Sequence, residues 1–428
     1  MLKSKNADRE ENHLLVNDIY KVRHVLKNIN WNFYQKDTSP HYGLYPFDCR
    51  KYHWYPATFV PQIPFTLIEV LTLPGAVIYD PFVGIGTTYF QALLLNRRPL
   101  ATEICRVAIE YIKSLLALFN PNISFPNIKN NIKKMLIDFN PNENYIVSVP
   151  STVLIDKLSP WYSETTLNQL SFLFIKEQAC NDQPTKAAFR IFISSILNTV
   201  SSQDRGWGCI ADNMLPKPNQ MKDKDVFEFF SKRSNRLFED ISDHLKNKMP
   251  GYDELYQDTA EKQTIFHQHV GECEEIPENS VDLVVTSPPY PQMADYVTSQ
   301  RLSYYFLGVD LSEGDQIKDS ALEIGARKRR KRKDSLERYL EDMDNANKEI
   351  AKKVKSGGYL CYVMPFFNKD NVNNSNRRRI VQKVISNMET YDLIKEEEFE
   401  RILPPIRRSH NLKWATLERE KIYLFRKV

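Results

Sequence analysis

The spacing of the hydrophobic residues changes along the chain and divides it into four parts. Residues 1–52 form a polar, partly helical lead-in. Short apolar runs alternate with helical stretches at 53–120 and again at 264–428, as is typical of an α/β sheet. Between 121 and 263 the apolar residues recur at helical spacing, and strand signals are scarce. We therefore expect one α/β domain in two halves, with a mainly helical stretch inserted into it or appended to one edge.

Individual apolar runs predict the elements of this domain. A helix that starts at Pro64 ends at Pro74-Gly75, and a β-α-β unit follows it. A long amphipathic helix that begins near Leu336 is expected to end at Gly357-Gly358, because glycine commonly terminates helices. The helix of the β-α-β unit runs from Thr88 to about Leu95, and the predicted strands are Ala76–Tyr79, Leu100–Glu103, Val281–Val285, Tyr359–Met364 and Ile422–Phe425.

The composition excludes several classes of protein. The 428 residues are 42% hydrophobic and 26% charged, with a mean hydropathy of -0.48, and no uncharged apolar stretch is long enough to span a membrane. The polar start Met1–Glu11 lacks the apolar segment of a secretory signal. Six scattered cysteines form no C-x-x-C pair, which argues against a zinc site and a disulfide framework. We therefore expect a cytoplasmic protein without a metal.

Basic residues gather in blocks, although the net charge is only +4. The longest block is Arg327–Lys333, and Arg377–Arg379 and Arg407-Arg408 follow it. Such blocks form solvated loops, act as localisation signals or contact phosphates. Charge alone does not distinguish nucleic-acid binding from these alternatives.

Thr286-Ser287-Pro288-Pro289-Tyr290 is the most informative stretch, because it follows the predicted strand Val281–Val285 directly. Its two prolines remove backbone donors and stiffen the exit from the strand. A serine hydroxyl, an unclaimed carbonyl and an exposed ring are then expected at the carboxyl end of a strand, where open α/β sheets bind ligands. This set suits the binding of an exocyclic amine on a flat ring. A strand followed by a proline turn explains the five residues equally well.

A second signal is the glycine turn Asp80–Thr88, which lies between a predicted strand and a predicted helix. Gly84 and Gly86 let the backbone turn tightly and approach a ligand, and the N–H groups at the start of the helix suit a carboxylate. Glu103 ends the next strand, at the distance expected of an acid that binds ribose hydroxyls. Together these features favour an adenosine-bearing cofactor over a purely structural turn.

The two signals together resemble those of the amino-group DNA methyltransferase family. The turn Asp80–Thr88 is similar to its S-adenosylmethionine motif, and Ser287–Tyr290 is similar to its catalytic tetrapeptide, in the version most associated with N4-cytosine enzymes. The lead-in Tyr55–Pro61, the pair Gly271-Glu272 and the segment Pro404–Arg408 also fit members of the family. The resemblance covers roughly residues 55–112 and 266–428. The cofactor motif precedes the tetrapeptide, unlike the order in many N4-cytosine enzymes.

The resemblance implies a Rossmann-like sheet, mostly parallel with a C-terminal antiparallel strand, and site-specific methylation of cytosine N4 in duplex DNA. It implies that S-adenosylmethionine is bound by Asp80, Pro81, Phe82, Gly84, Gly86, Thr87, Thr88 and Glu103. The catalytic residues would be Ser287, Pro288, Pro289 and Tyr290. Ser287 and the Pro288 carbonyl would accept the amine hydrogens, and Tyr290 would stack on a base flipped out of the duplex. Candidate pocket residues are Glu272, Asp295 and Tyr296.

Double-stranded DNA is the expected partner, and a cognate restriction endonuclease is a second one if the chain serves a restriction–modification pair in a bacterial or archaeal cytoplasm. Basic side chains position a duplex through its phosphates, whereas other contacts read or wedge apart the bases. Residues 121–263 are the candidate target-recognition region, although Trp207 in their polar loop also suits a packing role. The candidate DNA contacts are Arg205, Trp207, Arg327, Arg329, Arg330, Arg407 and Arg408.

Several alternatives stay open. Adenine N6, or an amine in structured RNA, is compatible with the same tetrapeptide, although no RNA-binding module is recognisable at the N-terminus. A glutamine amide of a protein is a further substrate, but enzymes of that type favour Asn in place of Ser287. A DNA-binding module without activity would have no need for Gly84, Gly86, Glu103 and the tetrapeptide together.

Overall fold

Seven strands of the described residues form one sheet with helices packed on both faces. The computed structural model describes residues 18–33, 45–203, 215–308, 317–367, 372–403 and 417–428. The strands are β1 (Val77–Asp80), β2 (Arg98–Glu103), β3 (Ile265–His267), β4 (Val281–Thr286), β5 (Val354–Phe366), β6 (Leu393–Ile402) and β7 (Arg419–Lys427). The helices are α1 (Ile19–Lys27), α2 (Gln62–Leu71), α3 (Thr87–Leu94), α4 (Arg106–Leu118), α5 (Phe125–Ile137), α6 (Ile155–Leu158), α7 (Glu164–Ala179), α8 (Gln183–Val200), α9 (Val226–Lys246), α10 (Tyr252–Glu261), α11 (Arg301–Leu307), α12 (Ser335–Lys353) and α13 (Val372–Ser386).

The strand order is β3-β2-β1-β4-β5-β7-β6. Strands β1 to β5 run parallel, whereas β7 is antiparallel to both of its neighbours, β5 and β6. The chain winds outward from β1 to one edge and from β4 to the other, so the order reverses between β1 and β4. Open α/β sheets bind ligands beyond the carboxyl ends of their strands at this switch point. The predicted Rossmann-like sheet with an antiparallel C-terminal strand is confirmed.

Alternate residues of the central strands supply the two apolar layers of the sheet. On one face Leu283 and Val285 of β4 pack in a cluster that includes Phe65 of α2. On the other face Val284 packs in a cluster that includes Met343 of α12. Because β4 is buried on both faces, its residues between Val281 and Val285 are apolar except for the half-buried Asp282. This explains why β4 is recognisable in the sequence.

Two strands, β3 and β6, are not predicted by the hydrophobic pattern. β3 has only three residues, which is too short for a periodic signal. β6 is an edge strand rich in glutamate, and its Glu396 and Glu397 form ion pairs with Arg23 of α1. An edge strand buries little apolar surface, so charged residues are tolerated there and protect the edge.

The expected end of the long helix is wrong. α12 ends at Lys353, because the next residue, Val354, already pairs with Val281 of β4. Gly357 and Gly358 therefore lie inside β5, where the pairing register shifts before Tyr359. Glycine at an irregularity within a strand gives the same local signal as glycine after a helix.

Residues 125–261 are mainly helical in the part that the structure describes, as expected. The rings of Phe189 and Phe192 on α8 pack against Phe230 on α9, and Phe192 also contacts Phe238. The same apolar cluster continues into α3 and α4 beside the sheet. The helical stretch therefore shares its core with the first half of the sheet, and the boundaries at 121 and 263 stay predictions.

A buried arginine fixes the entry into β2. Arg97 is only 2% exposed, and its guanidinium donates to the carbonyl oxygens of Leu95 (2.5 Å) and Thr72 (2.5 Å) and to the Thr72 hydroxyl (3.1 Å). A buried charge is tolerated only when such acceptors satisfy its donors. These bonds tie the end of α2 to the turn before β2, the strand that ends in Glu103.

We expect Arg97→Met to lower the free energy of unfolding by about 3 kcal/mol, because buried carbonyl oxygens lose their donor. The neighbouring Arg98 is exposed, so Arg98→Met is the matched control and should change stability by less than about 0.5 kcal/mol. Denaturant unfolding of both variants measures the difference. Equal effects of the two substitutions would show that the Arg97 bonds contribute nothing specific.

Candidate active site

The loop after β1 turns back through two glycines with positive φ. Gly84 has a φ of 53° and Gly86, the residue before α3, has a φ of 92°. A Cβ atom on Gly86 would lie 2.9 Å from the ring of Phe90, so the loop approaches α3 this closely only because the side chain is absent. Asp80 Oδ1 accepts the Phe82 N–H at 3.1 Å and closes the start of the loop.

Glu103, at the carboxyl end of β2, is joined to this loop. One oxygen accepts the Gly84 N–H at 2.8 Å, and the other accepts the N–H groups of Ile104 and Cys105, each at 2.9 Å. Burial raises the pKa of Glu103 to about 7, although the three backbone N–H groups act in the opposite direction. The oxygen that faces Gly84 accepts one bond and retains capacity for a further donor.

A cleft opens between the glycine turn, the end of β2 and the end of β4. It encloses about 740 Å³, part of which is open to solvent. The lead-in residues Tyr55–Phe59 and the residues 268–270 after β3 form two of its walls. Five of the predicted cofactor residues line it, namely Pro81, Phe82, Gly84, Thr87 and Glu103.

Asp80, Gly86 and Thr88 do not line the cleft and lie behind the glycine turn. Asp80 is 1% exposed, and burial raises its pKa to about 6 against the opposing effect of the Thr286 and Thr88 hydroxyls. The Thr88 hydroxyl donates to the Val285 carbonyl at 3.1 Å. These residues join the start of α3 to β4 and hold the two halves of the site together.

Ser287 reaches the same cleft from the end of β4. It is half-buried, and its hydroxyl donates to the Val363 carbonyl of β5 at 3.3 Å. Pro289 also lines the cleft, and its carbonyl accepts the Tyr339 hydroxyl at 3.0 Å. The glycine turn and the tetrapeptide, which the sequence predicts separately, therefore open on one cleft.

The expectation of an exposed Tyr290 ring is wrong. Tyr290 is 5% exposed and does not line the cleft. Its hydroxyl points toward β7 and donates to Glu420 Oε1 at 2.9 Å. The two prolines turn the chain so that this ring faces the sheet instead of the solvent, and it offers no open face to a stacked base in this conformation.

Residues that follow the tetrapeptide cover the cleft. Tyr296 lines it, as the sequence suggests, whereas Leu322, Glu323 and Ile324 belong to an irregular segment without a periodic signal. Glu323 Oε1 accepts the Val297 N–H at 2.7 Å, which anchors this segment. Burial raises the pKa of Glu323 to about 7, and the nearby Lys328 ammonium opposes that shift. Glu272 lies outside, in a neighbouring cleft.

The candidate DNA contacts fall into three groups. Arg330 is exposed, whereas the guanidinium of Arg329 donates to the carbonyl oxygens of Glu323 and Ala321 and so braces the covering segment. Arg327 is half-buried and lies with Arg330 close enough to Arg377 for their charges to lower its pKa. Outside the described residues lie Arg205, Trp207, Arg407 and Arg408.

The described residues contain neither a candidate metal site nor a helix that could cross a membrane. Within the ranges given above, no group of three His, Cys, Asp or Glu side chains is placed to hold a metal ion. In the same ranges no helix combines the length and the apolar character that crossing a bilayer requires.

The comparisons with known proteins point in one direction. The model of the N6/N4 DNA methylase family matches residues 2–114, a range that includes the glycine turn and Glu103 but not the tetrapeptide. Over 289 residues the chain is 26% identical to the Type II methyltransferase M.MvaI of Kocuria varians. This alignment covers 64% of the chain and 60% of the relative's own length.

We expect Glu103→Gln to change the pH dependence of stability. Burial raises the pKa of folded Glu103 from 4.5 to about 7, so the stability contributed by the neutral acid is full below pH 4.5 and is lost as the pH rises through 7. The unfolding free energy of the wild type should fall by roughly 3 kcal/mol relative to the variant over this interval. Denaturant unfolding at several pH values measures the shift, and Glu278→Gln on the surface serves as the control. A constant difference between wild type and variant would contradict the assignment.

Proposed function

We propose that the chain is an amino-group DNA methyltransferase, which the family match over residues 2–114 and the 26% identical relative support, and that it methylates the N4 amine of cytosine at a specific sequence in duplex DNA. The observation that carries the proposal is the position of Ser287, whose hydroxyl opens on the cleft lined by the glycine turn and Glu103. The name of the relative, a Type II methyltransferase, supports a role as the modification enzyme of a restriction–modification pair.

We assign S-adenosylmethionine to this cleft by the chemistry of its walls. Glu103 retains an acceptor for a ribose hydroxyl beside a backbone that carries no side chain at Gly84. Phe82, Ile104 and Val270 provide apolar surface for a flat adenine ring. The lead-in Tyr55–Phe59 is left for the methionine part. When bound there, the cofactor supplies a methyl group on a cationic sulfur.

The tetrapeptide serves the acceptor amine. An aromatic amine is a poor nucleophile, because its lone pair is delocalised into the ring. The Ser287 oxygen and the Pro288 carbonyl each accept one amine hydrogen, which favours a tetrahedral nitrogen with an available lone pair. Such acceptors lower the barrier because they bind the charge that develops in the transition state. Tyr296 and the covering residues 322–324 exclude water from the same space.

Two observations bear on the substrate. The base of a duplex cannot reach a cleft of this kind from within the stack, so it must be flipped out. The serine at the head of the tetrapeptide favours cytosine N4, and the same geometry accommodates adenine N6 as the second candidate.

The DNA backbone is assigned to a cluster of arginines beside the tetrapeptide. Arg377 is 5% exposed, its Nε donates to Gln292 Oε1 at 3.4 Å, and its guanidinium lies 5.8 Å from the ring of Phe367. Burial and the charges of Arg330 and Arg327 lower its pKa. The cofactor has no phosphate, so the anion that suits this cluster is a phosphate of the substrate next to the flipped base.

The decisive test incubates the protein with duplex DNA and S-adenosylmethionine and identifies the methylated nucleoside by mass spectrometry. We expect N4-methylcytosine, and Ser287→Ala should lose at least about a hundredfold in turnover while cofactor affinity stays within about twofold. N6-methyladenine would overturn the assignment of the base. Modified RNA beside unmodified DNA would overturn the substrate class, and an active Ser287→Ala variant would overturn the mechanism.

We expect Arg330→Gln to weaken DNA binding uniformly across sequences and to lower the slope of log affinity against log salt by about one, because one phosphate contact is lost. Lys355→Gln, at the opposite end of β5, is the charge-matched control and should leave the slope unchanged. Titration of labelled duplex at several salt concentrations gives both values. An unchanged slope in Arg330→Gln would remove this cluster from the interface.

A further inference from the structure

The proposed function requires that the hydroxyl hydrogen of Ser287 points in a particular direction. The serine oxygen accepts a hydrogen from the amine, and a hydroxyl does this well only when its own hydrogen points elsewhere. The tetrapeptide contains no charged group that would fix this direction. Behind the tetrapeptide, a buried chain of hydrogen bonds leads to such a charged group.

The chain leads from the cleft to the antiparallel end of the sheet. Ser287 Oγ lies 3.4 Å from the Tyr290 hydroxyl oxygen and 3.3 Å from the Val363 carbonyl oxygen, and its one hydrogen serves either acceptor. The Tyr290 hydroxyl donates to Glu420 Oε1 at 2.9 Å. Arg401 Nη1 donates to the other oxygen, Glu420 Oε2, at 3.3 Å. Glu420 of β7 faces Arg401 across the β6–β7 pair. Neither of the two acceptors available to the Ser287 hydrogen lines the cleft.

Stability alone gives no reason for this pair of charges. Arg401 is 1% exposed and Glu420 is 7% exposed. Arg401 Nε and Nη2 are buried without a hydrogen-bond partner among the described residues. An incompletely bonded buried ion pair is often no more stable than apolar residues of the same size. Its contact with Tyr290 points to a role at the neighbouring site.

We propose that Glu420, held by Arg401, is a positioning residue that orients the hydrogens of Tyr290 and Ser287 away from the amine and receives the proton that the amine loses. The proposal rests on the function proposed above. A carboxylate accepts but cannot donate, so Tyr290 must give its hydrogen to Glu420. The Tyr290 oxygen is then free to accept the hydrogen of Ser287, and the Ser287 lone pairs face the cleft.

The same chain balances the reaction. The amine nitrogen forms a bond to the methyl carbon with its lone pair, and the carbon–sulfur bond breaks with its electron pair going to sulfur. The nitrogen then carries a positive charge and loses one proton to Ser287 Oγ. The hydrogen of Ser287 passes to the Tyr290 oxygen, and the hydrogen of Tyr290 passes to Glu420. The carboxylate becomes a neutral acid, and no other reactant is needed.

Other carboxylates near the cleft are less suited to this role. Glu103 directs both oxygens to backbone N–H groups. Glu323 Oε1 accepts the Val297 N–H, and its Oε2 lies 3.4 Å from Lys328 Nζ. Among these carboxylates of the described residues, Glu420 alone is joined to the tetrapeptide through side-chain hydrogen bonds.

The environment of Glu420 suits a proton acceptor. Burial raises the pKa of Glu420, and the charge of Arg401 and the hydrogen bond from Tyr290 oppose that shift. Arg401 from β6 and Tyr290 from the loop after β4 are the ionisable groups that act on it, and Pro365 of β5 lies opposite. A raised pKa makes a carboxylate a stronger base, and the charge of Arg401 favours its ionised form.

The test compares three variants with the wild type in single turnovers at saturating DNA and cofactor. Glu420→Gln keeps the shape and removes the charge. Tyr290→Phe keeps the ring and the Arg401–Glu420 pair and removes only the hydroxyl, so it covers the case in which Glu420→Gln fails to fold. Glu400→Gln is the matched control, because this carboxylate pairs with Arg419 on the outside of the same hairpin.

We expect the methyl-transfer rate of the wild type to fall as the pH is lowered through the raised pKa of Glu420, because the carboxylate then takes up a proton. Glu420→Gln and Tyr290→Phe should be slower by about a hundredfold at neutral pH, without this acid limb. Glu400→Gln should behave as the wild type. Wild-type rates in Tyr290→Phe, or an acid limb in Glu420→Gln that is unchanged from that of the wild type, would overturn the proposal.

A binding measurement shows, without turnover, whether the Ser287 hydroxyl accepts or donates a hydrogen at the cleft. Duplexes carry either cytosine or uracil at the methylated position, and they are titrated with the cofactor product S-adenosylhomocysteine present. The ratio of the affinities for the cytosine duplex and the uracil duplex should be about tenfold higher in the wild type than in Glu420→Gln. In the variant, Ser287 is free to donate its hydrogen to the uracil oxygen. An unchanged ratio would overturn the proposal. Absence of methylation by the wild type would instead overturn the proposed function, so the two failures are distinguishable.

Discussion

The site depends on charge that is buried where the strands end. Asp80, Glu103, Glu323 and Glu420 all lie within the protein, and burial raises the pKa of each. Each carboxyl is held by a different donor: a loop N–H, the glycine turn, the backbone N–H of Val297, or a tyrosine and an arginine. The low dielectric that penalises these groups also strengthens every bond they make. The geometry of the cleft is therefore maintained by groups that cannot move without losing their compensation.

The central strands and the two motifs are predictable from the sequence for a physical reason. β1 and β4 are buried on both faces and so carry apolar runs, and the turns after them need glycine or proline. The pattern cannot reveal β6, because an edge strand covered by Arg23 tolerates glutamate. It cannot distinguish a glycine inside β5 from a glycine after α12.

The site itself is only half visible in the sequence. Ser287 and Glu103 are found because each follows a strand, and Tyr296 is found because it is near the tetrapeptide. Glu323 comes from an irregular segment and Glu420 from the last strand. Only tertiary packing brings Glu323 to the cleft and Glu420 to the buried side of the tetrapeptide. The burial of Tyr290 is likewise a consequence of the β7 neighbour and not of its own sequence context.

The pairing of β1 with β4 also determines when the cleft can form. Val77 and Asp282, which are hydrogen-bonded at this seam, are 205 positions apart in the chain. During synthesis β1 leaves the ribosome long before β4, so one edge of β1 stays open while the helical stretch is made. That stretch shares its core with α3 and α4, and its folding gives the first half a stable surface in the meantime. The cleft therefore depends on the long-range pairing of β4 with β1, a kind of contact that is slow to form.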